Sequence, residues 1–282
     1  MRIAIVGANS FLSQALLGEL VPHHEVIQVY HKNKGRLSPE LPQLQINAFL
    51  EQQPVVDCIF YIASCISFKE DIVSMNSIFS TNILVLKNIS ETFQNAKIIH
   101  ASSVSVYDNA VNELTEKSRV NPKSSYGMSK LWAEMLVGHH QGGGINIRIS
   151  SLFGEGMNAG TFLPIVIKKA ITERKVSLFG DGSRQQNYCY VRDAAHILAE
   201  AIDLEPTLPL LAVGSKSYSN LEVVEMLRDI FSEVRIVYEG EDTSPSFFYN
   251  NTLTRMLLDI PVTHDNFKEQ LRKTALWMQK QY

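Results

Sequence analysis

Arg2-Ile3-Ala4-Ile5-Val6-Gly7-Ala8-Asn9-Ser10-Phe11-Leu12-Ser13 is the stretch whose reading decides the fold class of this chain. A short apolar run ends at Gly7, and Phe11, Leu12, Ala15, Leu16 and Leu20 then recur at helical spacing, so 2–20 reads as strand, glycine turn, helix. The turn keeps the frame Gly-x-x-Gly-x-x-Gly, with Ser10 and Ser13 in the second and third places. Gly7 can make the sharp turn, and the helix that begins near Asn9, Ser10, Phe11 and Leu12 offers free N–H groups to a pyrophosphate. The two serines are expected only to crowd that approach. An ordinary strand–turn–helix fits the same residues, and both readings stand at this point.

The next strand, 25–30, should end on an acid if an adenosine ribose with a free 2'-hydroxyl is to be held there. The chain instead continues His31-Lys32-Asn33-Lys34-Gly35-Arg36. Basic side chains at that place suit a 2'-phosphate, hence NADP with NAD as the alternative, and they suit a solvated basic loop equally. A third strand is expected over 44–47 and a fourth over 55–63, nearly all apolar, as a parallel strand covered on both faces should be. The end of the fourth, Ile62-Ala63-Ser64, would lie against a bound nucleotide. A helix over 74–93 carries Asn82, which could face water or the cleft. The apolar run Lys97-Ile98-Ile99-His100 leads to Ser103 at a strand end, a helix is expected over 126–140, and Gly142-Gly143-Gly144 returns the chain to a strand over 145–149. Strands alternating with helices through short glycine-bearing connections predict an α/β fold, a doubly wound parallel (Rossmann) sheet over 1–150.

From Ser151 the character changes. Turns at Gly154-Glu155-Gly156 and Gly180-Asp181-Gly182, a strand over 188–191, and helices over 162–172, 193–204, 221–231 and 264–281 predict a smaller C-terminal substrate lobe over 151–282, interleaved with the last sheet strands.

Composition bounds the partners. The chain has 282 residues, 45% hydrophobic and 20% charged, with a formal net charge of -3, so no basic field draws in nucleic acid or anionic lipid. No apolar run reaches bilayer-spanning length and Ile3 to Ala8 is too short for a signal peptide core, which predicts a cytoplasmic protein without membrane contact. The three cysteines, Cys58, Cys65 and Cys189, follow no metal-ligand spacing and read as free thiols in the core.

Within this frame the segment Tyr126-Gly127-Met128-Ser129-Lys130 stands out. On a helix Tyr126 and Lys130 lie i,i+4 on one face, which would set an ammonium beside the phenol. A phenol titrating near pH 10 exchanges protons poorly at neutral pH until a positive charge makes its phenolate easier to form. Ser103 could hydrogen-bond a substrate oxygen nearby.

Together these segments resemble the extended short-chain dehydrogenase/reductase family, particularly its sugar-nucleotide epimerases, dehydratases and reductases, over nearly the whole chain. Gly7 to Ser13 takes the place of the glycine motif, 56–63 that of the fourth strand, Asn82 that of the helix asparagine, and Ala101-Ser102-Ser103-Val104-Ser105-Val106-Tyr107 that of the serine strand. Ser125 to Lys130 is close to the family's tyrosine–lysine pattern, and 179–193 resembles its Gly-Asp-Gly turn and following strand. The resemblance implies hydride exchange between a nicotinamide and a sugar carbon. Tyr126 would be acid or base, Lys130 would hold the nicotinamide ribose and tune Tyr126, and Ser103 would polarise the carbonyl. The nucleotide would be held by Gly7, Asn9, Ser10, Phe11 and Leu12, by His31, Lys32, Arg36 and Asn47, and by Ile62, Ala63, Ser64, Asn82 and Lys130. Ser103, Tyr126, Ser151, Arg184 and Gln186 would meet the substrate, and no metal is implied. Pairing of two copies through the helices at 74–93 and 126–140 is a family habit.

Departures from the family pattern narrow the reaction. Val104-Ser105 replaces the acid pair that dehydratases carry after the serine, and no added cysteine and histidine stand where 3,5-epimerising members have them. Gln186 and Ser151 replace a family arginine and asparagine, while Arg184 lies two residues earlier. The expected activity is NADP-dependent reduction of a 4-keto sugar nucleotide. The alternatives are a C4 epimerase with bound NAD and a non-catalytic, nucleotide-sensing member of the fold.

Overall fold

The computed structural model describes residues 1–67, 69–107, 113–158, 160–258 and 266–282. In chain order the elements begin β1 (Arg2–Val6), α1 (Phe11–Leu20), β2 (Glu25–Tyr30), β3 (Gln43–Gln45), α2 (Ile46–Gln52), β4 (Cys58–Tyr61) and α3 (Ile72–Phe79). A π-helical turn over Ser80–Leu84 joins α3 to α4 (Val85–Thr92), followed by β5 (Lys97–Ser103), a 3-10 turn at Val104–Val106, α5 (Ser125–Gly138) and β6 (Gly144–Ile149). Then come β7 (Ser151–Phe153), α6 (Phe162–Thr172), β8 (Lys175–Phe179), β9 (Gln185–Tyr190), α7 (Val191–Glu200), β10 (Leu210–Ala212), β11 (Ser217–Ser219), α8 (Asn220–Ile230), β12 (Arg235–Glu239), α9 (Thr252–Leu257) and α10 (Phe267–Gln279).

Among the described residues the large sheet has seven strands in the order β10-β6-β5-β4-β1-β2-β3, every neighbouring pair parallel. The chain runs outward from β1 to β3, then crosses to β4 on the other side of β1. That reversal opens a crevice at the carboxyl ends of β1 and β4, where such sheets bind ligands. The strands are apolar because both faces are covered: Ile3, Ala4, Ile5, Cys58, Ile59, Phe60 and Tyr61 are all fully buried. Burial pushes the Cys58 thiol up to about 12, so this cysteine is an inert core residue.

Several boundaries differ from the sequence expectation, each for a local reason. The third strand covers only 43–45, because the Gln45 side chain accepts the Asn47 N–H at 2.6 Å and starts α2, which puts Asn47 on an exposed helix start. The fourth strand is trimmed to 58–61. The helix expected over 74–93 starts at Ile72, where Asp71 caps it by accepting from Ser74 N at 2.8 Å, and is broken by the π turn around Asn82. α7 starts at Val191 and gives way to a 3-10 turn at Ala201–Asp203. The start of the expected terminal helix, 264–265, lies outside the described residues, and α10 runs from Phe267.

The described chain divides into two compact units, each discontinuous in sequence. One holds the described residues of Met1–Asp108, Glu116–Ile149 and Arg192–Ala212; the other holds those of Asn109–Thr115, Ser150–Val191 and Val213–Tyr282. The first contains the seven-stranded sheet. In the second, β11-β9-β7 and β12-β8 form small sheets around an aromatic core. Its centre is Phe267, 4.2 Å from the Tyr218 ring and 5.3 Å from the rings of both Tyr188 and Phe153. Among the described residues no helix is long and apolar enough to cross a membrane.

Phe267→Ala empties the middle of that aromatic cluster and is expected to destabilise the second unit by about 3–5 kcal/mol. Urea unfolding followed by tryptophan and tyrosine emission measures it, and a loss under about 1 kcal/mol would show that the cluster closes over the gap.

Candidate active site

The glycine turn is built by its own side chains. Gly7 has φ +88°, and a Cβ there would stand 2.5 Å from Ala63 N, so glycine is required both by conformation and by the approach of the β4 end. Ile62 and Ala63 both donate their N–H to Val6 O at 2.9 Å, which draws 62–64 against the turn. The serines expected only to crowd the approach are part of the turn. Ser10 caps α1 by accepting from Ser13 N at 3.1 Å, and the fully buried Ser13 donates to Gly7 O at 2.9 Å. Phe11 and Leu12 N–H, which the helix leaves without intrahelical partners, head a ten-residue helix and suit a phosphate.

The basic run is fastened to the same turn. Asn9 Oδ1 accepts the Arg36 N–H at 2.6 Å, and Lys34 Nζ lies 5.2 Å from the Tyr30 ring centre. His31, Lys32 and Arg36 are exposed, and His31 is held through its carbonyl by Gln45 Nε2 at 3.1 Å. Asn47 sits beyond Gln45 at the start of α2.

Ser103, Tyr126 and Lys130 come together at the carboxyl end of β5. Ser124 caps α5 by accepting from Gly127 N at 3.1 Å, and Glu70 accepts from both Ser125 N and Ser125 Oγ, so Tyr126 stands in the first turn at the positive end of the helix. A side chain at 127 would collide with Ser105 O, so Gly127 lets that first turn reach the residues after β5. Ser103 Oγ accepts from Ser105 N at 3.1 Å. The Ser103 and Ser64 hydroxyls lie near enough to the Tyr126 phenol to favour its ionisation, against the larger effect of burial. Ser64, expected among the nucleotide contacts, thus also lies beside the phenol.

Lys130 is fully buried, donates to Ala101 O at 2.8 Å, and has its Nζ 5.9 Å from the Tyr126 ring centre. Burial drives its ammonium down to about 7, partly offset by Glu134 one turn on. Tyr126 lies above the ordinary phenol value, because burial outweighs the influence of Ser103 and Ser64. Lys130 stands beside the phenol, as the i,i+4 spacing predicts, while burial works against the charge on both groups.

Glu134, Arg148, Ser102 and Tyr107 were missed by sequence reasoning. Arg148 Nε and Nη2 grip the two Glu134 carboxylate oxygens at 2.9 and 2.7 Å, Ser102 Oγ donates to Oε1 at 2.6 Å, and the guanidinium stacks 4.7 Å from the Tyr107 ring centre. The available signal was the i,i+4 step from Lys130 to Glu134, a carboxylate on the inward face of a helix.

Ser151, Arg184 and Gln186 belong to the second unit. Ser151 begins β7 and pairs in register with Tyr188; Gln186 Nε2 donates to Asn220 Oδ1 at 2.6 Å; Arg184 lies just before β9, its Nε 3.4 Å from Pro245 O. Gln186 is thus engaged by its own unit, whereas Arg184 and Ser151 keep partly or wholly exposed side chains.

Residues 3–207 match the NAD dependent epimerase/dehydratase family. The chain is 25% identical over 273 residues to a Bacillus subtilis protein named as an uncharacterized UDP-glucose epimerase, with 82% of each chain covered. It is 26% identical over 276 residues to the dTDP-glucose 4,6-dehydratase of Haemophilus influenzae, covering 83% of this chain and 80% of that one. Its fold matches UDP-glucuronic acid 4-epimerase from Bacillus cereus, solved with UDP-glucuronic acid and NAD, at TM-score 0.88 and 18% identity over the full length of both.

Lys130 gives a pH test. Its proton is held less firmly in the fold than in the unfolded chain, so the unfolded chain binds more protons between about pH 7 and 10 and stability rises with pH there. Wild-type protein is expected to gain stability relative to Lys130→Met across that window, by at most about 1.4 kcal/mol per pH unit. Urea midpoints of both proteins at pH 6, 7.5 and 9 check it; parallel lines would mean that Lys130 stays protonated.

Proposed function

This chain belongs to the NAD dependent epimerase/dehydratase family of sugar-nucleotide-modifying enzymes, and we propose that within it the chain is an NADP-linked reductase of a 4-keto sugar nucleotide. The carrying observation is the run His31 to Arg36, which offers cations and no carboxylate after β2 and is tied by Asn9 to the phosphate-binding turn. A 2'-phosphate on the adenosine ribose would be met there by Lys32 and Arg36, a role in which a forked guanidinium is well suited to phosphate.

A bound nicotinamide would supply the hydride. The chain's own residues do the rest: Ser103 donates toward the ketone oxygen, Tyr126 gives that oxygen its proton, and Lys130 holds the nucleotide ribose and restores the phenol's charge balance. Proton delivery by a phenol suits reduction, because Tyr126 stays protonated at neutral pH until the oxygen beside it becomes an alkoxide. Ser105, bonded to Ser103, occupies a place where elimination would need a carboxylate. Such chemistry draws on nucleotide pools of the cytoplasm.

A second reading, C4 epimerisation through a transient ketone with NAD retained, is favoured by the likeness to the Bacillus epimerases. The two differ in whether nucleotide exchanges during turnover. Titration of the purified protein with NADPH and NADH, followed by nicotinamide fluorescence, is expected to show tighter NADPH binding that weakens about tenfold in Lys32→Ala and in Arg36→Ala. With a 4-keto-6-deoxy sugar nucleotide, Tyr126→Phe should then bind NADPH normally and lose turnover. Tightly held NAD that does not exchange would replace the reductase with the epimerase.

An apolar face of the first unit supports a homodimer. Ile72, Val73 and Phe79 of α3 and Met128, Trp132 and Met135 of α5 are exposed, and α3 packs beside α5. A second copy of the same face would cover them. Sedimentation equilibrium should give a dimer that Trp132→Glu converts to a monomer; a wild-type monomer at tens of micromolar refutes the pairing.

A further inference from the structure

Gln28 is fully buried in β2, beside the apolar and equally buried Val26 and Val29. An amide side chain taken out of water is costly unless both of its ends are bonded. Both are, and to a single residue: Nε2 donates to Ser38 O at 2.8 Å, and Oε1 accepts the Ser38 N–H at 2.9 Å. Gln28 thus pairs with the Ser38 peptide as the edge of a strand would. Its backbone holds the same excursion at its end, Gln28 N donating to Pro42 O at 2.8 Å just before β3 pairs with β2. Gln43 Nε2 shares Ser38 O at 2.8 Å.

The excursion 31–42 carries the run His31 to Arg36. Gln45 Nε2 fastens it at His31 O, Asn9 Oδ1 at Arg36 N, and Gln28 at Ser38. The first two bonds lie at the exposed surface, where water competes for the same groups; the third is made by a side chain that water does not reach. Leu37 N donates to Lys34 O at 2.7 Å, a tight turn that carries the position of Ser38 back to Arg36. We propose that Gln28 is a positioning residue for nucleotide selectivity, which fixes the Ser38 peptide and through it sets Arg36 toward the 2'-phosphate of a bound NADP. A loop already held in its binding conformation loses less freedom when the phosphate arrives. The inference rests on the NADP reading of His31 to Arg36 and names the buried residue that makes that run a site.

Gln28→Met keeps an unbranched side chain of similar size, suits a covered strand and removes both bonds to Ser38. Ser38→Pro withdraws the N–H from the loop side, leaving the core untouched, at a residue that Pro39 already holds extended. Kd for NADPH and for NADH is measured by nicotinamide fluorescence on wild type, both variants, Arg36→Ala, and Gln28→Met combined with Arg36→Ala. Hydrogen exchange of a peptide covering 31–37 is followed by mass spectrometry. Gln28→Met and Ser38→Pro should each weaken NADPH about tenfold and NADH by less than about twofold. The double variant should bind NADPH about as weakly as Arg36→Ala alone, because Gln28 acts through that guanidinium. Exchange across 31–37 should quicken in Gln28→Met, although none of those residues bonds the Gln28 side chain. Equal weakening of both nucleotides, additive losses in the double variant, or an unchanged NADPH Kd would each overturn the proposal. Should wild type bind NADH more tightly than NADPH, the NADP reading falls and the selectivity role with it, while the exchange of 31–37 separately decides whether Gln28 positions the loop.

Discussion

The buried pair Glu134–Arg148 is the constraint on which the site depends. Both side chains are under a tenth exposed, and their charges are taken from water only because each carboxylate oxygen meets the guanidinium and Ser102 adds a third bond. Removing one partner of such a pair leaves an uncompensated buried charge at a cost of about 3–5 kcal/mol. What the pair specifies is position. Glu134 belongs to α5, Arg148 to β6 and Ser102 to β5, with Ser102 and Arg148 directly opposite in the parallel register. The helix carrying Tyr126 and Lys130 is thereby keyed to the strand carrying Ser103, and Asn146 Nδ2 donating to Glu134 O at 3.1 Å locks the same turn again.

The electrostatics of the interior follow from that placement. Lys130 projects beneath the sheet's end with Glu134 one helical turn away, so the lysine has a carboxylate nearby that is already committed to Arg148. Burial therefore prevails over attraction, and the ammonium is easily lost. His100 of β5, also fully buried, is pushed down to about 3, first by burial and then by Lys130, and bonds Asn146 as a neutral ring. Lys130 and His100 are thus both held toward their neutral forms by burial.

Much of this was legible in the chain. The run from Arg2 to Leu20 has one short strand period, one glycine and one helical period, and these suffice for β1, its turn and α1 with their boundaries. Ser103, Tyr126 and Lys130 were legible because a strand end and an i,i+4 helical pair are local patterns. What escaped is non-local or depends on side-chain direction. Ser10 and Ser13 read as obstacles because spacing cannot show that the Ser10 hydroxyl caps Ser13 and the Ser13 hydroxyl turns inward to the Gly7 carbonyl. Arg148 reads as one more strand residue until the β5–β6 register sets it opposite Ser102. The π turn at Asn82 is invisible to a helical period, since one inserted residue leaves the flanking apolar pattern intact. Gln45 ended a strand early by capping the next helix, a competition between side chain and sheet that alternation does not encode.

The route of the chain through the first unit bears on how it can be made. β6 is complete by Ile149, yet its outer neighbour β10 is not reached until Leu210, and Lys97 on β5 gives its ammonium hydrogens to the carbonyls of Ile202 and Leu204 on that same late segment. On a ribosome, the nascent sheet would therefore wait with β6 as an open edge, its unpaired backbone groups exposed, while some sixty further residues are synthesised. A fragment cut at the apparent domain boundary near residue 150 would carry that open edge permanently. Excision of a minimal nucleotide-binding piece thus has to keep the returning segment Arg192–Ala212.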